Sequence, residues 1–144
     1  MTSPIYLGGT QMCEHGLGSY LYNTQGSGWS GTGFTGRVSL VTLPITIKNP
    51  SGSALIGGFV DLSFWTSTVG SVVQGSVSSD GGAQALFSKF AFNRAGEHVQ
   101  FTYGFYAGYF GPGAHTIDLG LYVVVGSFNL DPQDGGTFAV WEQA

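Results

Sequence analysis

Residues 115–125 read His-Thr-Ile-Asp-Leu-Gly-Leu-Tyr-Val-Val-Val, and the alternation within them decides the fold. Ile117, Leu119, Leu121, Val123 and Val125 fall on one face of an extended chain, with Thr116, Asp118, Gly120 and Tyr122 on the other. Successive side chains of a strand point to opposite faces, so a two-residue period of this length predicts a half-buried antiparallel strand. The same period runs through His98 to Tyr106, which sets Val99, Phe101, Tyr103 and Phe105 on one side. It returns in Thr137 to Trp141, with Phe138 and Val140 inward.

Working outward, Arg37 to Lys48 alternates through Val41, Leu43, Ile45 and Ile47. Pro44 inside that run lacks a backbone donor and belongs at a sheet edge or a bulge. Gly58 to Trp65, Ser71 to Val77 and Ala85 to Phe92 bring the set to about seven or eight strands. The connectors carry turn chemistry, among them Asn49-Pro50-Ser51-Gly52, Asp80-Gly81-Gly82, Asn93-Arg94-Ala95-Gly96, Gly111-Pro112-Gly113 and Asp134-Gly135-Gly136. No segment of ten or more residues shows a 3.6-residue period, so helix is limited to a turn or two. The expectation is an all-β chain, an antiparallel β-sandwich of jelly-roll type. Gly75, Gly104 and Gly120 interrupt strands and mark bulges or close approaches of another backbone.

Residues 1–36 differ from the rest. They hold nine glycines and short apolar islands, Ile5-Tyr6-Leu7 and Tyr20-Leu21-Tyr22. They are expected to form an extended N-terminal docking arm, with Tyr6, Tyr20 and Tyr22 as its contacts, ahead of a sandwich domain at 37–144. Tyr6, Tyr20, Tyr22, Trp29 and Phe34 are too many aromatics to leave solvated.

Composition narrows the partners. Of 144 residues only four are Lys or Arg and eight Asp or Glu, 8% charged, where about 25% is usual. Polarity comes instead from 15 Ser and 12 Thr, and glycine reaches 25 residues. With a formal charge of −4 and no basic cluster, nucleic acid and anionic membrane surfaces are poor partners. The longest apolar runs, such as Leu121 to Val125, are too short to cross a bilayer as a helix, so no membrane insertion is expected. Cys13 is the single cysteine, which excludes an intramolecular disulfide and a CxxC site, and it is expected to be a small, inert side chain. Met1 to Tyr6 carry no positive charge and no apolar run follows, so synthesis in a host cytoplasm is expected, without a secretory signal.

Catalysis requires titratable groups that converge, and few exist here. Glu14-His15 and Glu97-His98 are sequence neighbours whose side chains point to opposite faces if they lie on strands. His15, His98 and His115 could meet at a metal or a symmetry axis, although surface or hydrogen-bonded histidines are the expectation. Asp131 to Gly136 lacks the spacing of a calcium loop and is read as a tight hairpin turn. Asp61 and Asp118 are the only mid-strand carboxylates that could serve a glycosidase, with nothing to mark them as a pair. No enzyme activity and no cofactor are expected. The Gly-rich aromatic stretch from Tyr106 to Gly113 reads as a loop suited to sugar stacking, to subunit packing or to closing one end of the sandwich.

The stretch Gly111-Pro112-Gly113-Ala114-His115-Thr116-Ile117-Asp118-Leu119, followed by Gly135-Gly136-Thr137-Phe138-Ala139-Val140-Trp141-Glu142, resembles the final strands of small bacteriophage virion proteins and fibre-tip domains. Those domains are similar to the trimeric jelly rolls of the tumour necrosis factor and complement-head type. The resemblance covers about the last 35 residues and implies a homotrimer at the virion surface. The expected function is that of a capsid decoration or cement protein, with the chain itself and capsid or tail proteins as partners. The alternative is a receptor- or carbohydrate-binding fibre tip that grips host-surface glycan with Trp29, Tyr106, Tyr109 and Phe110.

Overall fold

The alternating stretch at 115–125 lies within the longest strand of the computed structural model, which describes residues 5–7, 10–13, 19–27, 31–47 and 54–143, with side chains at 31–47 and 54–142. In chain order the strands are β1 (Ile5–Leu7), β2 (Thr10–Cys13), β3 (Ser19–Ser27), β4 (Gly31–Phe34), β5 (Arg37–Ile47) and β6 (Ala54–Phe64). They continue with β7 (Val72–Ser79), β8 (Ala85–Ala91), β9 (Val99–Phe110), β10 (Gly113–Val125), β11 (Phe128–Leu130) and β12 (Gly135–Gln143). Every pairing is antiparallel.

Two four-stranded sheets, ordered β5-β10-β7-β8 and β3-β12-β6-β9, face each other. Among the eight long strands the first pairs with the last, β3 with β12. The remaining hairpin partners are β5 with β10, β6 with β9 and β7 with β8. This nesting is that of one long antiparallel ribbon rolled up on itself, a jelly roll. Two short ribbons, β1-β2 and β4-β11, accompany the sandwich.

The inward faces follow the alternation. Ile117, Leu119 and Leu121 of β10 are wholly buried, as are Val60, Leu62 and Phe64 of β6. Phe101, Tyr103 and Phe105 of β9 and Phe138 and Val140 of β12 join the β6 residues in closing the core from the sheet opposite β10. Pro44 sits on β5, an edge strand, where its missing donor breaks no internal ladder. At Gly120 the pairing with β5 is bulged, and a Cβ would collide with the Val38 carbonyl. At Gly75 the Tyr103 ring stands 2.6 Å from where a Cβ would be.

Several expectations are corrected. The described residues contain twelve strands where about seven or eight were expected, because the Gly-rich start and residues 128–130 also pair. Within the expected docking arm at 1–36, β3 pairs with β12 of the chain's own sandwich, a pairing that leaves the arm reading in place. Tyr106 to Phe110 is strand, not loop. Ala107, an extra residue in β9, bulges between the Ile56–Gly108 and Gly57–Tyr106 pairs and lets β9 keep its partners as far as Ala54–Phe110. Val125 leaves the core, 55% exposed, where the β7–β10 pairing slips after Val123.

Candidate functional site

The outward face of β12, β6 and β9 is a grid that register alone assembles. Thr137, Asp61 and Thr102 form one row, and Ala139, Phe59 and Gly104 the next. Trp141, Gly57 and Tyr106 make the third. Rows two residues apart along a strand share a face and lie about 7 Å apart. The small residues leave a shallow apolar trough of about 270 Å3, lined on this face by Phe59, Gly104, Tyr106 and Trp141 and reaching at the β9 edge to Gly58, to the inward Phe105 and to Phe87 of β8 in the facing sheet. The Phe59 and Trp141 rings lie tilted to each other at 6.3 Å, and Tyr106 is 61% exposed.

One row along, the Asp61 carboxylate is held in place. Its Oδ1 accepts from Gln100 Nε2 at 2.8 Å and from Thr102 Oγ1 at 2.6 Å. Its Oδ2 has no protein donor among the described residues, and the group is half-buried on the sheet surface. The face therefore joins a flat aromatic wall to a fixed hydrogen-bond acceptor.

Of the surface residues expected from sequence, Tyr106 lines this trough. Tyr109, 74% exposed, pairs with Leu55 one row beyond. Phe110 is corrected: at 8% exposure it belongs to the core, with its ring edge-on to His115 at 5.0 Å. Its strand parity turns it inward, as it does Phe105 on the other side of the bulge. Trp29 lies outside the described residues, as do the side chains of Tyr6, Tyr20 and Tyr22, whose backbones lie in β1 and β3. Sequence reasoning missed Phe59, Trp141 and the Gln100–Asp61–Thr102 set as parts of one face. The available signal was two large aromatics at solvent parity on otherwise alternating strands.

The two described histidines are held in separate places, and His15 lies outside the described residues. His98, at the entry to β9, contacts Asp134 Oδ1 through Nδ1 at 2.8 Å and Asp131 Oδ2 through Nε2 at 3.2 Å. The two aspartates come from the β11–β12 turn, which closes on itself. Asp134 Oδ2 accepts the Asp131 N–H at 2.9 Å, and Asp131 Oδ1 that of Gln133 at 2.9 Å. The ligand atoms of these three residues lie within 4.8 Å of one another. With a carboxylate near each ring nitrogen, the cluster favours the protonated ring of His98. His115 is held alike, Nδ1 by Asp80 Oδ2 at 2.8 Å and Nε2 by the Gly111 carbonyl at 2.9 Å.

These partners push both histidines above the ordinary value of 6.5: His98 mainly through its hydrogen bond to Asp134, His115 through that to Asp80. A raised value means that the fold favours the protonated ring. The stability this contributes is complete below about pH 6.5 and is lost as pH climbs through the folded-state value. Glu142, buried on β12, is pushed upward by desolvation, which adds the same sign at lower pH. Urea titrations should therefore give a higher midpoint at about pH 6 than at about pH 8.5, and the difference should shrink in His98→Asn/His115→Asn. A midpoint that is flat or rises with pH would contradict the clamps.

Asp61 and Asp118 lie on the outward faces of opposite sheets, so they cannot flank one glycosidic bond. Asp118 is instead tied to Arg37 at 3.1 Å and to Ser39 Oγ at 2.8 Å.

The folded class is thus an antiparallel jelly-roll sandwich with an aromatic trough on one outer face. No protein-family model matches the chain, and no curated protein does. Among solved structures it is similar to that of infectious bursal disease virus Gx strain, at 14% identity and TM-score 0.46, over 96% of this chain and 36% of the other. The VP2 subviral particle of infectious bursal disease virus gives 15% identity and TM-score 0.42, over 96% and 38%. An exo-beta-1,3-galactanase from Phanerochaete chrysosporium gives 17% and 0.36, over 91% and 30%. The chain spans about a third of the length of these structures. Viral capsid structures are thus among its neighbours, and likeness at this level says nothing of activity or partners.

Proposed function

We propose that the chain is a non-enzymatic structural protein of a bacteriophage particle surface, a homotrimeric decoration or cement protein that packs against capsid or tail proteins. The observation that carries this is the edge strand β3. Its nine residues, Ser19–Ser27, contain no charge and no proline, and β12 is its one described hydrogen-bonded neighbour. Protected edges usually carry lysine, proline or a bulge; β3 has one irregularity, at Leu21 opposite Val140 and Trp141, and no charge or proline to reinforce it. β8 has Lys89 and a left-handed Ser88 with φ of 41°, and β5 has Arg37 and Pro44. Strand addition at β3 would satisfy backbone groups without salt bridges, which suits a chain that is 8% charged. The terminal motif at 111–142 supports the virion setting.

Light scattering on the full chain is expected to give a mass of about 45 kDa, three copies of 15.1 kDa. An antibody to the chain should decorate intact particles in electron micrographs. A monomer, or particles without label, would overturn the proposal. A second function, host-glycan recognition at the particle surface, is favoured by the aromatic trough over β6 and β9.

A further inference from the structure

We infer that the outward face of β12, β6 and β9 is a binding site for a neutral saccharide, with Phe59, Trp141 and Tyr106 as the stacking walls and Asp61 as the hydroxyl acceptor. This deepens the glycan-recognition reading and does not depend on the trimer.

The argument starts with shape. Gly57 and Gly104 stand where strand parity would place outward side chains; the Tyr106 ring lies over Gly57, and the space left open is that over Gly104. The trough of about 270 Å3 is close to the lower end of small-ligand sites, roughly 300–1,000 Å3. It is too short for a helix or an added strand and suits one or two sugar rings. A pyranose has an apolar C–H face to lay on an aromatic ring and hydroxyls around its rim. Aromatic rings also supply contact area with little loss of side-chain freedom.

Charge complementarity selects the occupant. The one ionised group in these rows is Asp61, and the rows hold no cation to pair with it. An acidic ligand would meet an unbalanced carboxylate. A second copy packed flat against the face would bury that carboxylate without a partner, which is costly. A sugar hydroxyl is a neutral donor that can meet Oδ2 while the group keeps contact with water. The donors from Gln100 and Thr102 on Oδ1 fix the carboxylate beforehand, so little ordering remains to be done on binding.

Two substitutions separate the site from the fold. A Cβ at Gly104 would have the Gly58 carbonyl at 3.8 Å as its nearest atom, an ordinary contact. Gly104→Val therefore puts a side chain into the trough with ordinary room at its Cβ. Asp61→Ala removes the acceptor and leaves Gln100 and Thr102, both exposed, free to bond to water.

The 144-residue chain would be applied to an array of neutral and sialylated oligosaccharides. The best neutral binder would then be titrated while the fluorescence of Trp141 and the other tryptophans is followed. Neutral glycans are expected to bind, with each variant weakening affinity about tenfold or more at unchanged melting temperature and oligomer mass. No binding by the wild type, binding confined to sialylated glycans, or variants that bind as the wild type does would overturn the inference. So would a fall in oligomer mass on Gly104→Val, since it would place a second copy on this face. The particle-labelling and mass measurements test the structural role independently, so either proposal can fail alone.

Discussion

Replacing Tyr103 with alanine is expected to destabilise the fold by about 3–5 kcal/mol, the range for truncating a buried aromatic. Tyr103 is 1% exposed and crosses the sandwich from β9 to the opposite sheet. Its ring lies over Gly75 of β7, and its hydroxyl donates to the Gly120 carbonyl of β10 at 2.7 Å. Burial raises its phenol well above the usual value, so it remains a neutral donor at every ordinary pH. Tyr103→Phe keeps the ring and should cost only about 1–2 kcal/mol, the value of one buried hydrogen bond. Gly75→Val, which pushes a side chain into the ring, should cost about 1–3 kcal/mol by overpacking. Because the two residues share one space, Gly75→Val should cost less once Tyr103 is alanine, with a coupling of about 0.5–3 kcal/mol. Urea unfolding of the four proteins measures it. Additive losses would mean that ring and glycine do not compete for the same volume.

The strands visible in the sequence are those in which alternation carries the burial. β10, β9, β12 and the second half of β5 each show large apolar residues at every second position, and those residues are inward. β3 was harder to see because its place depends on pairing with β12, more than a hundred residues away, and not on a pattern of its own. Its composition is that of a loop, so glycine content and tertiary pairing point in opposite directions. The end of β9 was hidden for a related reason. Ala107 is an extra residue of β9, unpaired between Ile56–Gly108 and Gly57–Tyr106, and only the pairing with β6 reveals it.

The candidate face was legible only in fragments. Tyr106 and Tyr109 stood out as aromatics among glycines, whereas Phe59, Trp141 and Asp61 meet them only once three strands are set in register. The histidines show the same limit from the opposite side. Glu97 and His98 are adjacent yet separate: Glu97 bonds to Arg94 at 3.1 Å, while His98 takes its partners from the turn at 131–134. Neither lies on a strand, so parity does not govern them, and adjacency in sequence could not supply the aspartates that hold the ring.

Phe64→Ala is expected to cost about 3–5 kcal/mol as well, and to spread its effect unevenly. The wholly buried Phe64 ring stands edge-on to Phe92 at 5.3 Å, to Phe128 at 5.6 Å and to Phe101 at 6.0 Å. Phe128 in turn packs on Phe34 at 5.1 Å, and the β4–β11 ribbon is joined to the sandwich by these rings and by the Trp65–Asn129 backbone bridge. Two strands alone are barely stable in water, so this ribbon depends on those joins, of which the contact with Phe64 is one. Amide exchange should therefore quicken more at 31–34 and 128–130 than at 117–121, where the core is aliphatic. The β11–β12 turn follows directly from β11, so the grip of Asp131 and Asp134 on His98 should loosen and the pH dependence of stability should flatten. Phe64 is five residues from Phe59, about 17 Å along the strand, so the trough should keep its shape. Exchange that quickens uniformly would show instead that the sandwich opens as one unit. In that event the aromatic cluster would be supporting the whole core, not fastening a separate ribbon to its end.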